Sequence, residues 1–110
     1  MRSAFLGDGM SIDTTEMAER NEVVIRVSGR LDFSRNTEFR AAYEGTAGEG
    51  THYVLDLTGA QYLDSSALGM LLVFRNFAGG DSADIEIRVK DPNVRRILEI
   101  ANFQELFQIP

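Results

Sequence analysis

The feature that most constrains this chain is the join between two apolar segments in its second half. The first is Tyr53-Val54-Leu55-Asp56-Leu57, short and β-rich; the second begins near Ala67 and runs at helical length to about Phe77. A short apolar run rich in aromatic and β-branched residues reads as a buried strand, and an apolar run of a dozen residues reads as a helix. Between them stands Asp64-Ser65-Ser66. Asp and Ser are favoured where a helix starts, because their side-chain oxygens accept bonds from the unpaired N–H groups of the first turn. Strand, short loop and helix in this order call for a layered α/β domain.

The remainder of the chain repeats that grammar. Residues 1–9 carry no periodicity and are expected to form a flexible leader. A weakly alternating strand over 11–17 and a clear one over 23–28, with Val23, Ile25 and Val27 on one face, should pair as a hairpin. Gly29-Arg30-Leu31-Asp32-Phe33-Ser34 leaves that strand for a helix capped by Ser34, whose stripe is Phe39, Ala42, Tyr43 and Thr46 or Ala47, before Gly45 and Gly48-Glu49-Gly50 break the pattern. Asp84-Ile85-Glu86-Ile87-Arg88-Val89-Lys90 alternates strictly, as a half-buried strand does. Asp91-Pro92 then starts a helix with an N-cap and a proline in its first position. An apolar tail over 103–109 should pack back on the domain. Helices alternating with strands imply right-handed crossovers. The expected fold is therefore one α/β domain over 10–110, with a four- to five-stranded mixed sheet (N-terminal hairpin, then parallel crossovers) and three to four helices.

Composition matters chiefly for what it excludes. The net charge of −6 disfavours nucleic acid, whose binding rests on phosphate neutralisation by Lys and Arg. There is no cysteine and a single histidine, His52, so zinc-type ligand sets and thiolate chemistry are absent and no cofactor is expected. A serine nucleophile needs a base, and His52 lies at the far end of the strand that leads to Ser65, ~15 Å away at roughly 3.3 Å per residue. Asp32 and Asp64 could meet in space, but no recognisable acid/base pocket accompanies them. No apolar run approaches the ~20 residues that span a bilayer. The chain reads as a non-enzymatic, cytoplasmic protein that binds another protein and is not inserted in a membrane.

Three pieces together carry a resemblance: Gly29-Arg30-Leu31-Asp32, Val54-Leu55-Asp56-Leu57, and Tyr62-Leu63-Asp64-Ser65-Ser66-Ala67-Leu68-Gly69. The chain resembles a stand-alone STAS domain of the anti-sigma factor antagonist kind over nearly its whole length. That resemblance implies a partner switch that regulates sigma-factor-dependent transcription. The unphosphorylated protein would bind an anti-sigma factor, often itself a serine kinase; phosphorylation would release it, and a serine phosphatase would reset it. The resemblance puts the phosphorylated serine at Ser65, with Ser66 as second candidate, and the acidic neighbour at Asp32. Where the family usually has Asp-Ser-Ser-Gly this chain has Ala67; inside a helix Ala is favoured over Gly by about 1 kcal/mol, so no loss is expected.

The helix after Asp64 is apolar over more of its circumference than one sheet contact needs. Leu68, Leu71, Leu72 and Phe74 suffice for a core. Met70, Val73 and Phe77 form a second stripe continuous with Ser66, either packed on a neighbouring helix or exposed in part as a partner patch. Partner-binding residues are thus expected among Asp32, Asp64, Ser65, Ser66, Met70, Val73 and Phe77, on a monomer or weak dimer. The rival reading is a non-switching STAS interaction subunit of a membrane transport complex; a third, a hydrolase using Ser65, is disfavoured by the position of His52.

Overall fold

The computed structural model describes residues 10–110; the leader expected over 1–9 lies outside them. Strand β1 (Ile12–Met17) turns through a short 3-10 segment into β2 (Glu22–Leu31), and the two pair antiparallel, Ile12 opposite Val27. Asn21, with φ of 52°, closes that turn in the left-handed region that Asn tolerates. Helix α1 (Asn36–Glu44), strand β3 (His52–Leu63), helix α2 (Ser65–Phe77), strand β4 (Asp84–Val89) and helix α3 (Pro92–Ile100) follow. The sheet order is β1-β2-β3-β4, with β2, β3 and β4 mutually parallel. The mixed four-stranded sheet and the three helices agree with the sequence-based order, although α1 ends earlier than expected, at Glu44, short of Thr46 and Ala47.

One face of the sheet carries the core. Val23, Ile25 and Val27 of β2, Tyr53, Leu55 and Leu57 of β3, and Ile85 and Ile87 of β4 form one cluster with Phe39, Tyr43, Leu71, Phe74, Val94 and Leu98 from the helices. Phe39, Tyr43, Tyr53 and Phe74 interlock edge-on or tilted, at ring separations of 5.0 to 5.9 Å. Such pairs add to burial, which is worth about 1.5–3 kcal/mol for a fully buried aromatic. Tyr53 is fully buried, and its hydroxyl is satisfied by Thr46 Oγ1 at 2.6 Å and the Gly48 amide at 2.9 Å. The tail returns as expected. Phe103 and Phe107 are buried, and Gln108 bonds the β4 edge through Gln108 N to Ile85 O (2.9 Å) and Ile87 N to Gln108 O (2.8 Å).

Both central strands outrun the sequence-based expectation. β2 continues through Gly29, Arg30 and Leu31, and β3 continues from Leu57 to Leu63 instead of opening into a loop. The cause is a pair of bulges. The register passes from Arg26 opposite Asp56 to Ser28 opposite Gly59, and then to Arg30 opposite Tyr62. Beyond Leu57 the next buried residues of β3 are therefore Ala60 and Leu63, at steps of three, which alternation by two cannot reveal. A Cβ at Gly59 would stand 2.8 Å from Ser28 Oγ, so any larger residue there would force the Ser28 side chain to move.

Candidate functional site

The extra length of β2 and β3 sets the site. Leu31 and Leu63 are cross-strand partners, so the residues after them, Asp32 and Asp64, leave the sheet side by side. The Asp64 amide donates to Leu31 O at 3.4 Å across that join. Arg30, Asp32, Gln61, Tyr62 and Asp64 line an open depression of about 490 Å³. The spatial meeting of Asp32 and Asp64 anticipated from sequence is what the fold delivers.

Asp64 is the N-cap of α2. Its Oδ1 accepts from the Ala67 amide at 2.9 Å and from the Ser66 hydroxyl at 2.7 Å. Ser65 occupies the first helical position and is exposed, and its hydroxyl has no hydrogen-bond partner among the described residues. The two serines are thus inequivalent: one hydroxyl is tied down and half-buried, the other stands free at the positive end of the helix dipole.

Asp32 caps the 3-10 turn Phe33–Arg35, accepting from the Ser34 amide at 3.0 Å and from the Ser34 hydroxyl. The cap is therefore Asp32, not Ser34, which donates; α1 itself begins at Asn36 without a side-chain cap. The Ser34 hydroxyl bond, above all, holds the Asp32 carboxyl below the usual carboxylate range, helped by the Ser34 amide and by Arg30 and Arg35 against some desolvation. Arg35 is the buried clamp behind this turn. Its Nη1 donates to Ser28 O (2.8 Å) and Arg30 O (2.7 Å), and its Nε donates to Glu38 Oε1 (3.2 Å). These bonds terminate β2 and fix where Asp32 points.

The face of α2 needs a correction. Its buried residues are Ala67, Met70, Leu71 and Phe74, whereas Leu72 (42% exposed) and Val73 (55%) face outward and Leu68 is half-buried. Met70 belongs to the core, and Phe77 packs on Tyr43 of α1 at a ring separation of 5.1 Å. Of the expected stripe of Met70, Val73 and Phe77, only Val73 is exposed. The helix is wedged between sheet and α1, which turns the Ser66 side inward. The outward stripe is Ser65, Gly69, Leu72, Val73 and Asn76, at i, i+4, i+7, i+8 and i+11. Phe33 (65% exposed) and Tyr62 (48%) add aromatic surface next to Asp32 and Leu63 in sequence. Sequence reasoning missed Phe33, Tyr62 and Leu72; the apolar excess of α2 was the available signal, but not its phase.

His52 stands at the opposite end of β3 from Ser65, with Nδ1 at 3.0 Å from Asp84 Oδ2. No base is near Ser65 from that source. Among the described residues, no group of three His, Cys, Asp or Glu is placed to hold a metal ion, and no helix is long and apolar enough to cross a membrane.

The geometry is thus that of an α/β module with its helices on one sheet face and an exposed serine at an Asp-capped helix start, just after a central strand. The family model described as "Mlab, STAS domain" matches residues 14–108, and the chain belongs to that family. It is 48% identical over 100 residues to a STAS-domain-containing protein of Pseudomonas aeruginosa (strain UCBPP-PA14), spanning 91% of this chain and 99% of that one. Its fold matches an anti-sigma factor antagonist from Mycobacterium paratuberculosis with a TM-score of 0.69 at 20% identity, covering 90% of this chain and 85% of the other. It also matches the anti-sigma factor antagonist SpoIIAA in its unphosphorylated form, with a TM-score of 0.64 at 19% identity and coverage of 91% and 87%. The phosphorylated form of SpoIIAA, the Bacillus cell fate determinant, matches with the same TM-score of 0.64, covering 91% of each chain. At these identities the structural likeness is one of fold.

Proposed function

We propose that this protein is an anti-sigma factor antagonist, a cytoplasmic partner switch set by phosphorylation of Ser65. Unphosphorylated, it binds an anti-sigma factor that is also its serine kinase; phosphorylated, it lets that partner go, and a serine phosphatase restores it. The observation that carries the reading is the inequivalence of the two hydroxyls, Ser66 bonded to Asp64 and Ser65 free and exposed.

A phosphate on Ser65 adds a charge of roughly −1.5 to −2. The first-turn amides and the dipole of α2 accept such an anion, while Asp64 and Asp32 offset part of the gain. The helix therefore persists, and what changes is the surface. A hydrated dianion now heads the outward stripe that continues through Leu72 and Val73. Burying it against a partner without a matched cation costs several kcal/mol. About 3 kcal/mol already weakens binding more than a hundredfold.

The test is a comparison of two baits, Ser65→Ala and Ser65→Asp, in lysate of the source organism, with quantitative mass spectrometry of what each retains. The expected result is an anti-sigma factor held by the Ala form and lost from the Asp form, both baits melting near wild type. Equal recovery of a membrane transporter complex by both would overturn the switch in favour of a fixed interaction subunit.

A further inference from the structure

The second face of the sheet, turned away from the helices, carries a charge pattern that the switch does not use. The register lines up Asp13, Arg26, Asp56 and Arg88 as successive cross-strand partners, one per strand, in the sign order minus, plus, minus, plus. Arg26 Nη1 lies 3.6 Å from Asp13 Oδ1, and Arg26 Nε 4.0 Å from Asp56 Oδ2. The next row is Thr15, Val24, Val54 and Glu86; the one beyond is Met17, Glu22, His52 and Asp84. None of the four charged residues, nor Val24 nor Val54, belongs to the core cluster on which the helices close.

We infer that this face is a docking surface for a second copy of the chain. A two-fold axis lying in the interface along the strand direction, between β2 and β3, reverses each row. Asp13 then meets Arg88 of the second copy, Arg26 meets Asp56, and Glu22 meets His52. Every charged pair in the first row is matched. Val24 and Val54, 5% and 1% exposed, are already buried within the single chain, so the charged row carries the contact. Chains of net charge −6 repel one another in general, so a self-complementary row selects this approach over others. Four strands and six residues give a footprint of about 19 by 20 Å, or about 800 Å² for both copies, the size of a weak and transient contact. The helices, and Ser65 with them, lie on the other side of the sheet and stay accessible in the dimer.

Sedimentation velocity over a concentration series tests the inference. The wild-type protein should show a dimer fraction that grows with concentration and falls as salt rises to about 1 M, where the Debye length is about 3 Å. Arg26→Asp and Asp56→Arg, each folded by circular dichroism, should weaken self-association about tenfold or more, because each places like charges opposite one another twice. Mixed in equal amounts the two variants should form a heterodimer, since every pair is again of opposite sign. Should either variant fail to fold, Asp13→Arg and Arg88→Asp form an equivalent pair at the rim. A wild type that stays monomeric throughout, or variants that remain monomeric when mixed, would overturn the inference and leave the Ser65 switch untouched.

Discussion

Replacing Asp64 by Ala would separate the architecture of the serine turn from its chemistry. The substitution removes one carboxylate oxygen that holds both the Ala67 amide and the Ser66 hydroxyl. Loss of an N-cap costs about 1 kcal/mol, loss of a hydroxyl partner up to about 1 more, and loss of a negative charge at the helix start about 0.5. Since one atom serves both bonds these effects overlap, and the expected sum is about 2 kcal/mol. In a domain of this size that lowers the melting temperature by roughly 10 °C. Asp64→Asn keeps a capping oxygen and should recover most of the loss; Ser66→Ala, which removes one bond only, should cost less than about 1 kcal/mol. Thermal melts and urea titrations of the three variants measure this. The same change frees the Ser66 hydroxyl, so phosphosite mapping after kinase treatment should find Ser66 modified alongside Ser65. Melting of Asp64→Ala within about 2 °C of wild type would refute the idea that this oxygen holds the turn.

Two further outcomes rest on the geometry. Because the Ser34 hydroxyl holds the folded Asp32 carboxyl below its unfolded value, its contribution to stability is complete above the ordinary carboxylate range of about 3.9 and disappears as pH falls through the lowered value. The gap in urea midpoint between wild type and Asp32→Asn should therefore close with acidification below about pH 4, and a gap constant with pH would contradict the assignment. Gly59→Ala should cost about 1 kcal/mol or more through the Ser28 hydroxyl, and Ser28→Ala in the same chain should return most of it; an additive double variant would show that the close approach is not the cause.

Much of this architecture is legible in the sequence because pattern and propensity agree. The alternation over 84–90, the Asp91-Pro92 start and the β-rich run at 53–57 each specify one element, and the order of elements then dictates the crossovers. The site is legible as a turn because Asp64 and Ser65 are where a helix must begin. Three features stay hidden, each for a tertiary reason. The second half of β3 hides because its inward residues are Leu57, Ala60 and Leu63, a spacing of three produced by pairing with β2. The phase of α2 hides because a helix apolar on most sides gives no indication which stripe meets α1; Met70 and Phe77 went inward and Leu72 outward. Arg35 shows no sign in the sequence of its burial, since the carbonyls it serves are defined only once β2 has been extended to Leu31.

The two bulges of β3 also bear on how this chain can change length. From Arg26 to Arg30 the strand β2 advances four positions while β3 advances six, from Asp56 to Tyr62, and both arrive with Leu31 and Leu63 facing inward. Each surplus residue is taken up by a bulge: removing one, such as Thr58, would straighten that bulge without exchanging the inner and outer faces of the strand beyond it, at the loss of the two bonds that the Thr58 amide and hydroxyl donate to Asp56 Oδ1. Such a deletion would spare the packing of Leu63 yet reduce the local twist that bulges impose, swinging the Asp64-Ser65 corner relative to Asp32. The aim of the serine is thereby adjustable in single-residue steps, independently of the core beneath it.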